Sequence, residues 1–381
     1  MSGSDGRLSE EERFGRLRLI RSERIGPVNF RLLLERFGSG SEALRALPDL
    51  ARRSGKPIRP APERAIEAEL AAMARLGAAF VMLGEDAYPP ALAATEGAPP
   101  VLAIWGGPAV LAQPMVAIVG ARNASAHGLK LAAAIARGLG QAGYVVVSGL
   151  ARGIDGAAHG ATLTSGTVAV VAGGLGRLYP PQHEELARDI TQKGCIVSEM
   201  PFDWTATARD FPRRNRIVSG LSLGTVVVEA ALRSGSLITA RLAGEQGREV
   251  FAIPGAPGDP RSEGANLLIR QGATLTRHAE DVIEGLTPLL AVAGTLPRPL
   301  PVQASLDLLR PVEAVRPAPV AVEASGSDHD RIRALLGPAP TAVDDLIRLS
   351  GLEPRKVQLV LLELDLAGEL ERHGSNLVSL A

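Results

Sequence analysis

Arginine residues are the feature of this 381-residue sequence with the clearest chemical meaning. The stretch 211–216, FPRRNR, carries three of them behind a phenylalanine, and Arg122 and Arg152 each follow a short apolar run. Guanidinium groups bind phosphate through paired hydrogen bonds, and an aromatic ring can stack on a nucleic-acid base. Because a mononucleotide needs only one or two such groups, the set predicts a ligand with several phosphates in series. The predicted contacts are Arg122, Arg152, Phe211, Arg213, Arg214 and Arg216.

Each of these side chains also has a purely structural alternative. Phe211 can be buried in a core, and single arginines can pair with the carboxylates of Glu199, Asp210 or Glu229. This alternative stays open for individual residues. It accounts less well for a set of arginines that follows three different predicted strands.

Two glycine motifs have the spacing of known enzyme motifs, but the secondary structure predicted around them differs from what those motifs require. GLGQAG (138–143) fits the dinucleotide-binding fingerprint, yet it closes a predicted helix, whereas the fingerprint follows a strand. GLSLG (220–224) fits a nucleophile elbow but leads into a strand instead of a helix. We interpret both matches as coincidences.

Two groups of ionisable residues could suggest acid–base or metal chemistry. Asp155 and His159 lie one helical turn apart with no third ligand, which favours a hydrogen bond that fixes the preceding glycine-rich loop. His183, Glu184 and Glu185 are typical of a solvated first helical turn, where negative charge suits the helix dipole. The sequence also lacks a GxxxxGK[ST] phosphate loop. We therefore predict no catalytic residue, no metal and no cofactor.

The strongest enzymatic alternative comes from SGLSLGTVVVEA (219–230). This stretch resembles the PGGxGTxxE motif of the LOG and lysine-decarboxylase-like nucleotide phosphoribohydrolases, but it lacks Pro-Gly-Gly and places Glu229 one residue late. Because strand side chains alternate between faces, the shift predicts that the carboxylate points to the wrong side. Nucleotide binding or nucleoside-monophosphate hydrolysis remains the minor alternative.

The elements that must position the arginines are short β-branched runs separated by helical segments. Near-continuous apolar strands of this kind are typical of a parallel sheet covered on both faces. The predicted strands are 116–120, 145–149, 168–173, 195–199, 225–230 and 249–255. Connections into these strands are short, whereas connections out of them are long, polar and rich in glycine and arginine. Since ligands of open α/β sheets bind at the carboxyl ends of the strands, this asymmetry predicts a binding site there.

Composition limits the class of protein. Lys plus Arg and Asp plus Glu both number 41, so a polyanion must be attracted by a local patch and not by net charge. Cys195 is the single cysteine, which excludes an internal disulfide. The polar, acidic start MSGSDGRLSEEERF is unlike a signal peptide, and no apolar run is long enough to cross a bilayer. We expect a cytoplasmic protein without membrane contact.

The chain divides into four predicted segments. Residues 1–84 are helical in pattern, and Ile25-Gly26-Pro27 resembles the turn of a helix-hairpin-helix or SAM-like domain. Residues 85–285 form the Rossmann-like, doubly wound α/β domain with a mostly parallel sheet. Residues 286–327, rich in Pro, Ala and Val, predict a flexible linker. Residues 328–381 are similar to a winged helix, and its recognition helix offers few cations.

Several longer stretches make the chain similar to the DNA-processing protein A family (DprA, also called Smf). They are SGLARGIDGAAHGATL (148–163), FPRRNRIVSGLS (211–222), VVEAALRSGSLITA (227–240), PGAPGDPRSEGANLLIRQGA (254–273) and, more loosely, YPPALAATEGAPPVLAIWG (88–106). The resemblance implies an ATP-independent, non-catalytic protein that binds single-stranded DNA as a homodimer. It also implies a role in natural transformation, in which the protein protects incoming DNA and loads RecA recombinase, with single-strand-binding protein as a further expected partner.

The resemblance also implies which residues contact DNA. Carried over by position, they are Gly120, Arg122, Arg152, Phe211, Arg214, Asn215, Arg216, Ser219, Gly220, Gly235, Ser236 and Thr239. One departure concerns the approach to the Phe-Pro pair, where relatives often have a lysine. Here the approach is DWTATARD (203–210), which leaves Arg209 as the nearby cation.

Overall fold

The N-terminal region is a bundle of four helices. A computed structural model describes residues 6–53, 58–293, 326–373 and 376–381. The helices are α1 (Glu10–Ile20), α2 (Pro27–Phe37), α3 (Gly40–Arg53) and α4 (Glu63–Leu76). Helix α1 begins where the Ser9 side chain accepts a hydrogen bond from the Glu12 amide, and α2 begins with proline at its first position. Residues 25–27 thus lie at the predicted turn between two helices, α1 and α2, as a helix-hairpin-helix requires.

A nine-stranded sheet forms the centre of the molecule, in the order β1-β2-β6-β5-β4-β3-β7-β8-β9. Its strands are β1 (Ala78–Met82), β2 (Val101–Gly106), β3 (Met115–Gly120), β4 (Val145–Ser148), β5 (Thr167–Val170), β6 (Cys195–Ser198), β7 (Gly224–Val228), β8 (Glu249–Ala252) and β9 (Thr274–Leu275). Neighbours from β6 to β9 are parallel, whereas β2 is antiparallel to both β1 and β6. The sheet is mostly parallel, as predicted.

Helices cover both faces of this sheet. They are the short α5 (Pro90–Ala93), then α6 (Ala126–Gln141), α7 (Ile154–Ala161), α8 (Glu184–Lys193), α9 (Asp210–Gly220), α10 (Gly235–Glu245), α11 (Glu263–Arg270) and α12 (Ala279–Ala293). Alternate residues of β3 supply the two cores: Val116 and Ile118 pack with residues of α6 and α12, while Ala117 and Val119 pack with residues of α9 and α10. This arrangement confirms the doubly wound α/β prediction.

Two elements cross the predicted segment limits. Strand β1 lies within residues 1–84 but pairs along its whole length with β2, so the sheet begins at Ala78. Helix α12 continues to Ala293, and Leu286 is fully buried in the core beside Phe251. The first residues of the linker predicted to start at residue 286 are therefore helical, and Leu286 packs in the core. Residues 294–325 of that linker lie outside the described residues.

The C-terminal segment has the predicted winged-helix-like form. Its elements are α13 (Gly326–Leu335), β10 (Thr341–Ala342), α14 (Val343–Ser350), α15 (Pro354–Ala367), β11 (Leu370–Arg372) and β12 (Leu377–Leu380). The three strands form an antiparallel sheet in the order β10-β12-β11.

Helix α15 contributes to two hydrophobic cores. Val360 and Leu364 pack within the C-terminal segment, whereas Leu362 and Leu366 join Phe30 and other apolar residues of the N-terminal helices. A hydrogen bond of 2.8 Å from Arg24 Nη1 to the Leu366 carbonyl oxygen reinforces the second contact. The helix that reads DNA in many winged-helix proteins is thus largely covered by protein on both sides.

Candidate nucleic-acid interface

The carboxyl ends of the parallel strands form one continuous edge. Strands β3 and β7 are neighbours, and the chain winds outward in opposite directions from this pair, which makes it the switch point of the sheet. Arg122 follows β3, Arg152 follows β4, and α9 follows β6. The topology therefore brings the predicted arginines to the same edge.

An arginine and two aromatic rings form a cluster at this edge. The guanidinium carbon of Arg122 lies 5.1 Å from the centre of the Phe211 ring, within the range of a cation–π contact. Tyr179 meets Phe211 edge to face, with ring centres 5.8 Å apart. Tyr179 is 52% exposed, whereas Phe211 is half-buried. Tyr179 was not among the predicted contacts, although its position in the long connection after β5 was an available signal.

The stretch FPRRNR is helical and lies in the first turns of α9, so its arginines diverge. Arg214 is buried and donates to the carbonyl oxygens of Gly149 and Val170, at the ends of β4 and β5. Burial lowers the pKa of Arg214 to about 10, while nearby Asp155 acts in the opposite direction. A side chain at Gly149 would lie 2.5–2.7 Å from this guanidinium, so only glycine allows the approach. Arg214 joins two strands and is not displayed to a ligand.

Arg213 and Arg216 lie on another side of α9 and share the carboxylate of Glu199. The Arg213 Nε to Glu199 Oε1 distance is 2.9 Å, and Arg216 Nη2 contacts Glu199 Oε2. Arg216 also donates to the Gly97 carbonyl oxygen and is mostly buried. The structural alternative is thus confirmed for Arg216, whereas 45% of the Arg213 side chain stays exposed.

The loop that carries Arg152 is held from several sides. Asp155 Oδ2 accepts hydrogen bonds from the amides of Gly149 at 3.1 Å and Ala151 at 3.2 Å, which confirms the predicted loop-fixing role. His183 is half-buried and its Nδ1 lies 2.9 Å from the Leu150 carbonyl oxygen, so it supports the loop instead of being solvated as predicted. Arg152 itself is exposed. The result is a rigid support for one exposed cation.

His159 does not act together with Asp155. Its Nδ1 lies 2.7 Å from the hydroxyl of Thr167, which donates to the Val146 carbonyl oxygen, so Nδ1 must carry the hydrogen. Burial lowers the pKa of His159 to about 3, with smaller contributions from His183 and Arg214. His159 is a neutral core residue.

The start of α10 lies next to α9, and Asn215 connects them. Asn215 Nδ2 donates to the Gly235 carbonyl oxygen at 3.4 Å. Gly235 is exposed with open space around it, and Ser236, although mostly buried, shares a 2.6 Å hydrogen bond with the N-cap residue Ser234. An exposed helix start of this kind offers backbone amides to an anion.

Four other residues implied by the resemblance lie beneath the surface or serve the backbone. Ser219 is fully buried and donates to Gln246 Oε1 at 2.7 Å, Gly220 packs against Leu92, and Thr239 is 2% exposed. A side chain at Gly120 would lie 1.9 Å from the Val228 carbonyl oxygen, so this glycine permits the close approach of β3 and β7. We therefore do not expect these four residues to contact DNA directly.

Glu229 occupies an unexpected position at the switch point. It lies just past β7 with a φ of 51°, so strand alternation does not set the direction of its side chain as we predicted. Its carboxylate accepts hydrogen bonds from the Ser125 amide at 2.8 Å and from the Ser125 hydroxyl. The anion-binding start of α6 is therefore filled by the chain's own carboxylate, which disfavours a nucleotide phosphate at this position.

Several cations at or near the edge lack a neutralising partner. Among the described residues, no carboxylate lies within salt-bridge distance of the exposed arginines in the loops that connect each of the strands β3 to β7 to the helix after it. These are Arg122, Arg152, Arg177, Arg209 and Arg233. The neutral chain thus concentrates positive charge locally, as a polyanion site requires.

Membrane-spanning helices and metal-binding clusters are both absent from the described residues. No helix within them is long and apolar enough to cross a membrane. No group of three or more His, Cys, Asp or Glu side chains in that part of the chain is arranged to hold a metal ion.

The fold and the edge define a Rossmann-like protein with a cationic and aromatic surface, flanked by an N-terminal helical region and a winged-helix-like segment. The profile of the family described as DNA recombination-mediator protein A matches residues 79–287. Two further profiles, the DprA-like N-terminal HHH domain and the DprA winged helix domain, match residues 10–72 and 316–376. The chain belongs to the DprA/Smf family.

Curated relatives and solved structures agree with this assignment. Protein Smf of Escherichia coli is 44% identical over 228 residues, which cover 59% of this chain and 61% of the relative, less than two thirds of its length. DNA processing protein DprA of Bacillus subtilis is 40% identical over 220 residues, which cover 57% of this chain and 74% of the relative.

Among solved structures, DprA of Streptococcus pneumoniae has a TM-score of 0.61 at 33% identity and covers 73% of this chain and 98% of its own. DNA processing protein A of Helicobacter pylori, whose structure concerns its single-stranded DNA binding mode, has a TM-score of 0.50 at 30% identity and covers 54% of this chain and 95% of its own.

Proposed function

We propose that this protein binds single-stranded DNA at the carboxyl edge of its sheet and that it is not an enzyme. The observation that supports the proposal best is the cluster of Arg122, Phe211 and Tyr179 beside the rigid loop of Arg152. The arginines supply phosphate contacts, and the half-exposed rings supply stacking surfaces. Asn215, Gly235 and Ser236 extend the proposed contact surface along the start of α10.

Single strands are preferred in this proposal because the rings can stack only on bases that are already unpaired. Stacking and phosphate contacts tolerate every base, so we expect little sequence dependence. The Helicobacter pylori relative, described by its single-stranded DNA binding mode, is consistent with this ligand.

The biological role that we infer is protection of incoming DNA and loading of RecA recombinase during natural transformation. Its support is membership of a family described as a DNA recombination mediator. We further propose a homodimer and contact with single-strand-binding protein as parts of the same role.

Fluorescence anisotropy with matched single-stranded and blunt duplex oligonucleotides, at several salt concentrations, tests the DNA preference. We expect tighter binding of the single strand and a log affinity that falls linearly with log salt. Equal affinity for the duplex at moderate salt would contradict the proposal. Nucleoside monophosphates are incubated in parallel, and release of ribose 5-phosphate without DNA binding would favour the hydrolase alternative.

A RecA assay tests the proposed role. On single strands that are covered by single-strand-binding protein, we expect the wild-type chain to shorten the lag before RecA begins to hydrolyse ATP. The matched control carries Arg122→Ala and Arg152→Ala. It should leave the lag as long as in the reaction without this protein. Light scattering should give twice the chain mass of 39.7 kDa for the homodimer. An unshortened lag with intact DNA binding would limit the function to binding.

A further inference from the structure

A second surface beside α9 combines an exposed ring, a cation and a cleft. The cleft has a volume of about 180 Å³ and lies between the turn before α2 and the loop after β6. Ile25 and Pro27 line one side, and Trp204 and Arg213 line the other. Trp204 is 41% exposed. Since pockets for drug-sized molecules have volumes of roughly 300–1,000 Å³, this cleft suits a single ring better than a whole cofactor.

Trp204 is held in a fixed orientation. Its Nε1 donates a hydrogen bond of 3.0 Å to Asp210 Oδ2, which also accepts from the amide and the hydroxyl of Thr207, each at 2.8 Å. The single polar atom of the indole is therefore occupied within the chain. What the side chain still offers to a ligand is the face of its ring.

The loop of Trp204 is joined to the loop that carries Tyr179. The Gly174 amide donates to the Trp204 carbonyl oxygen, and the Gly176 amide donates to the Phe202 carbonyl oxygen, both at 2.9 Å. A side chain at Gly174 would lie 2.0 Å from the Pro201 carbonyl oxygen, so glycine is required for this contact. The two loops form one rigid platform with an exposed ring on each.

The two aromatic surfaces flank the first turn of α9. Trp204 bonds to Asp210, and the next residue is Phe211, whose ring lies in the cluster with Tyr179 and Arg122. A strand that stacks on Phe211 therefore needs only to pass the first turn of α9 to reach the cleft.

The charge of the cleft suits a phosphate backbone. Two carboxylates, Glu199 and Asp210, face Arg213 and Arg216 here, so the positive excess comes from Arg209. Arg209, one turn before Arg213, is exposed. Together these residues continue the positive charge of the sheet edge towards the N-terminal helices.

We propose that Trp204 and Arg213 form a second subsite for the same single strand, with one base on the indole and one phosphate on the guanidinium. The strand passes from Phe211 around the start of α9 into the cleft. This inference rests on the single-strand binding proposed above. It predicts that the footprint is longer than the sheet edge alone requires.

Oligodeoxythymidylates of two lengths test the subsite, one of about 6 nucleotides and one of about 16, since single-strand sites range from about 4 to 16 nucleotides. Trp204→Ala should lower affinity for the longer strand about tenfold and leave the shorter one within about twofold. Trp204→Phe should restore most of the loss, because a ring can still stack. Arg213→Ala should reduce the salt slope for the longer strand by up to about 0.7. Phe211→Ala, the control at the sheet edge, should weaken both.

Intrinsic fluorescence gives a direct readout. The chain has two tryptophans, so Trp105→Phe leaves emission from Trp204 alone. We expect quenching by the longer strand and not by the shorter one. If both strands bind but Trp204→Ala leaves the longer one unaffected, the subsite is wrong and the sheet-edge site stands. If the wild-type chain binds neither strand, the proposed function fails, and this inference fails with it.

Discussion

The carboxyl edge of the sheet and the winged-helix-like segment are both candidate surfaces for DNA, yet they differ in how they expose their basic residues. At the sheet edge, Arg122 and Arg152 are exposed beside aromatic rings. In the C-terminal segment, α15 buries its apolar residues in two cores and has Arg355 and Lys356 as its basic residues. Lys356 Nζ also lies 3.9 Å from an Asp328 carboxylate oxygen.

This difference shows that a DNA-binding fold does not by itself make a DNA-binding surface. A recognition helix reads bases only if its outer face can enter a groove, and Leu362 and Leu366 use that surface to contact the N-terminal helices. At the sheet edge, by contrast, the side chains of Arg122 and Arg152 stay exposed. The sheet edge and the C-terminal segment thus differ in the exposure of their basic side chains more than in the type of fold.

The largest effect should come from the one arginine of the edge that is buried. Arg214→Ala removes the partner of two strand-end carbonyls and leaves Asp155 without its neighbouring cation. We expect the free energy of unfolding to fall by about 3 kcal/mol, measured by urea titration. Arg213→Ala, one position earlier and half exposed, is the control and should cost less than about 1 kcal/mol. Equal stability of both variants would show that Arg214 is not the structural tie inferred here.

Removing the exposed arginines should affect binding strongly and stability little. The double variant with Arg122→Ala and Arg152→Ala should lose about a hundredfold in affinity for single strands, roughly 2.7 kcal/mol. Its salt slope should flatten by up to about 1.4, for two lost phosphate contacts. The matched control with Arg355→Ala and Lys356→Ala should stay within about threefold of wild type. A larger loss in the control than in the test variant would reverse the comparison of the two regions.

Acid should destabilise the sheet through His159. The folded pKa of about 3 lies below the ordinary value of 6.5, so the unfolded chain takes up a proton that the folded chain does not as pH falls below 6.5. This single group should lower the free energy of unfolding by about 1.4 kcal/mol per pH unit between roughly pH 6 and 4. Urea titrations at several pH values should show that the free energy of unfolding depends less steeply on pH in His159→Gln than in the wild type. The control, His127→Gln at an exposed position, should show the wild-type dependence on pH. Parallel curves for all three proteins would contradict a buried neutral His159.

The smallest effect on binding should come from loss of the C-terminal segment. A chain that ends after Ala293 keeps α12 and the whole sheet edge, so affinity for single strands should change by less than about threefold. Its N-terminal helices lose the cover of Leu362 and Leu366 and should melt earlier. A tenfold loss of affinity, roughly 1.4 kcal/mol, would place the segment in the DNA site.

Sequence patterns predicted the central strands and the sheet edge that carries the exposed arginines, because both depend on local signals. Continuous apolar runs identified the central strands, and glycine and arginine in the connections after them identified the edge. The outer strands β1, β2 and β9 escaped prediction, because they are short or antiparallel additions without the helix–strand alternation.

The fate of individual side chains could not be predicted, because it depends on distant partners. Arg214 and Arg213 are adjacent and chemically identical, yet only one meets the carbonyls of β4 and β5. Tyr179 and Trp204 lie in loops without a periodic pattern, so nothing local indicates that their rings are displayed. Helix α15 was recognisably apolar, but the sequence did not indicate that it contacts two separate cores.

The contact between the N-terminal helices and the sheet determines how a truncated form of the chain would behave. Strand β1 pairs with β2 at five positions, and Arg13 of α1 stabilises this contact by donating to the Phe80 carbonyl oxygen at 2.8 Å and pairing with buried Glu85. A fragment that begins at residue 85 lacks β1, so the side of β2 that β1 covered is left unpaired. That exposed strand edge can pair with another chain. The N-terminal helices and the sheet are consecutive in sequence but share the β1–β2 pairing. Removing β1 therefore favours self-association of the remaining fragment.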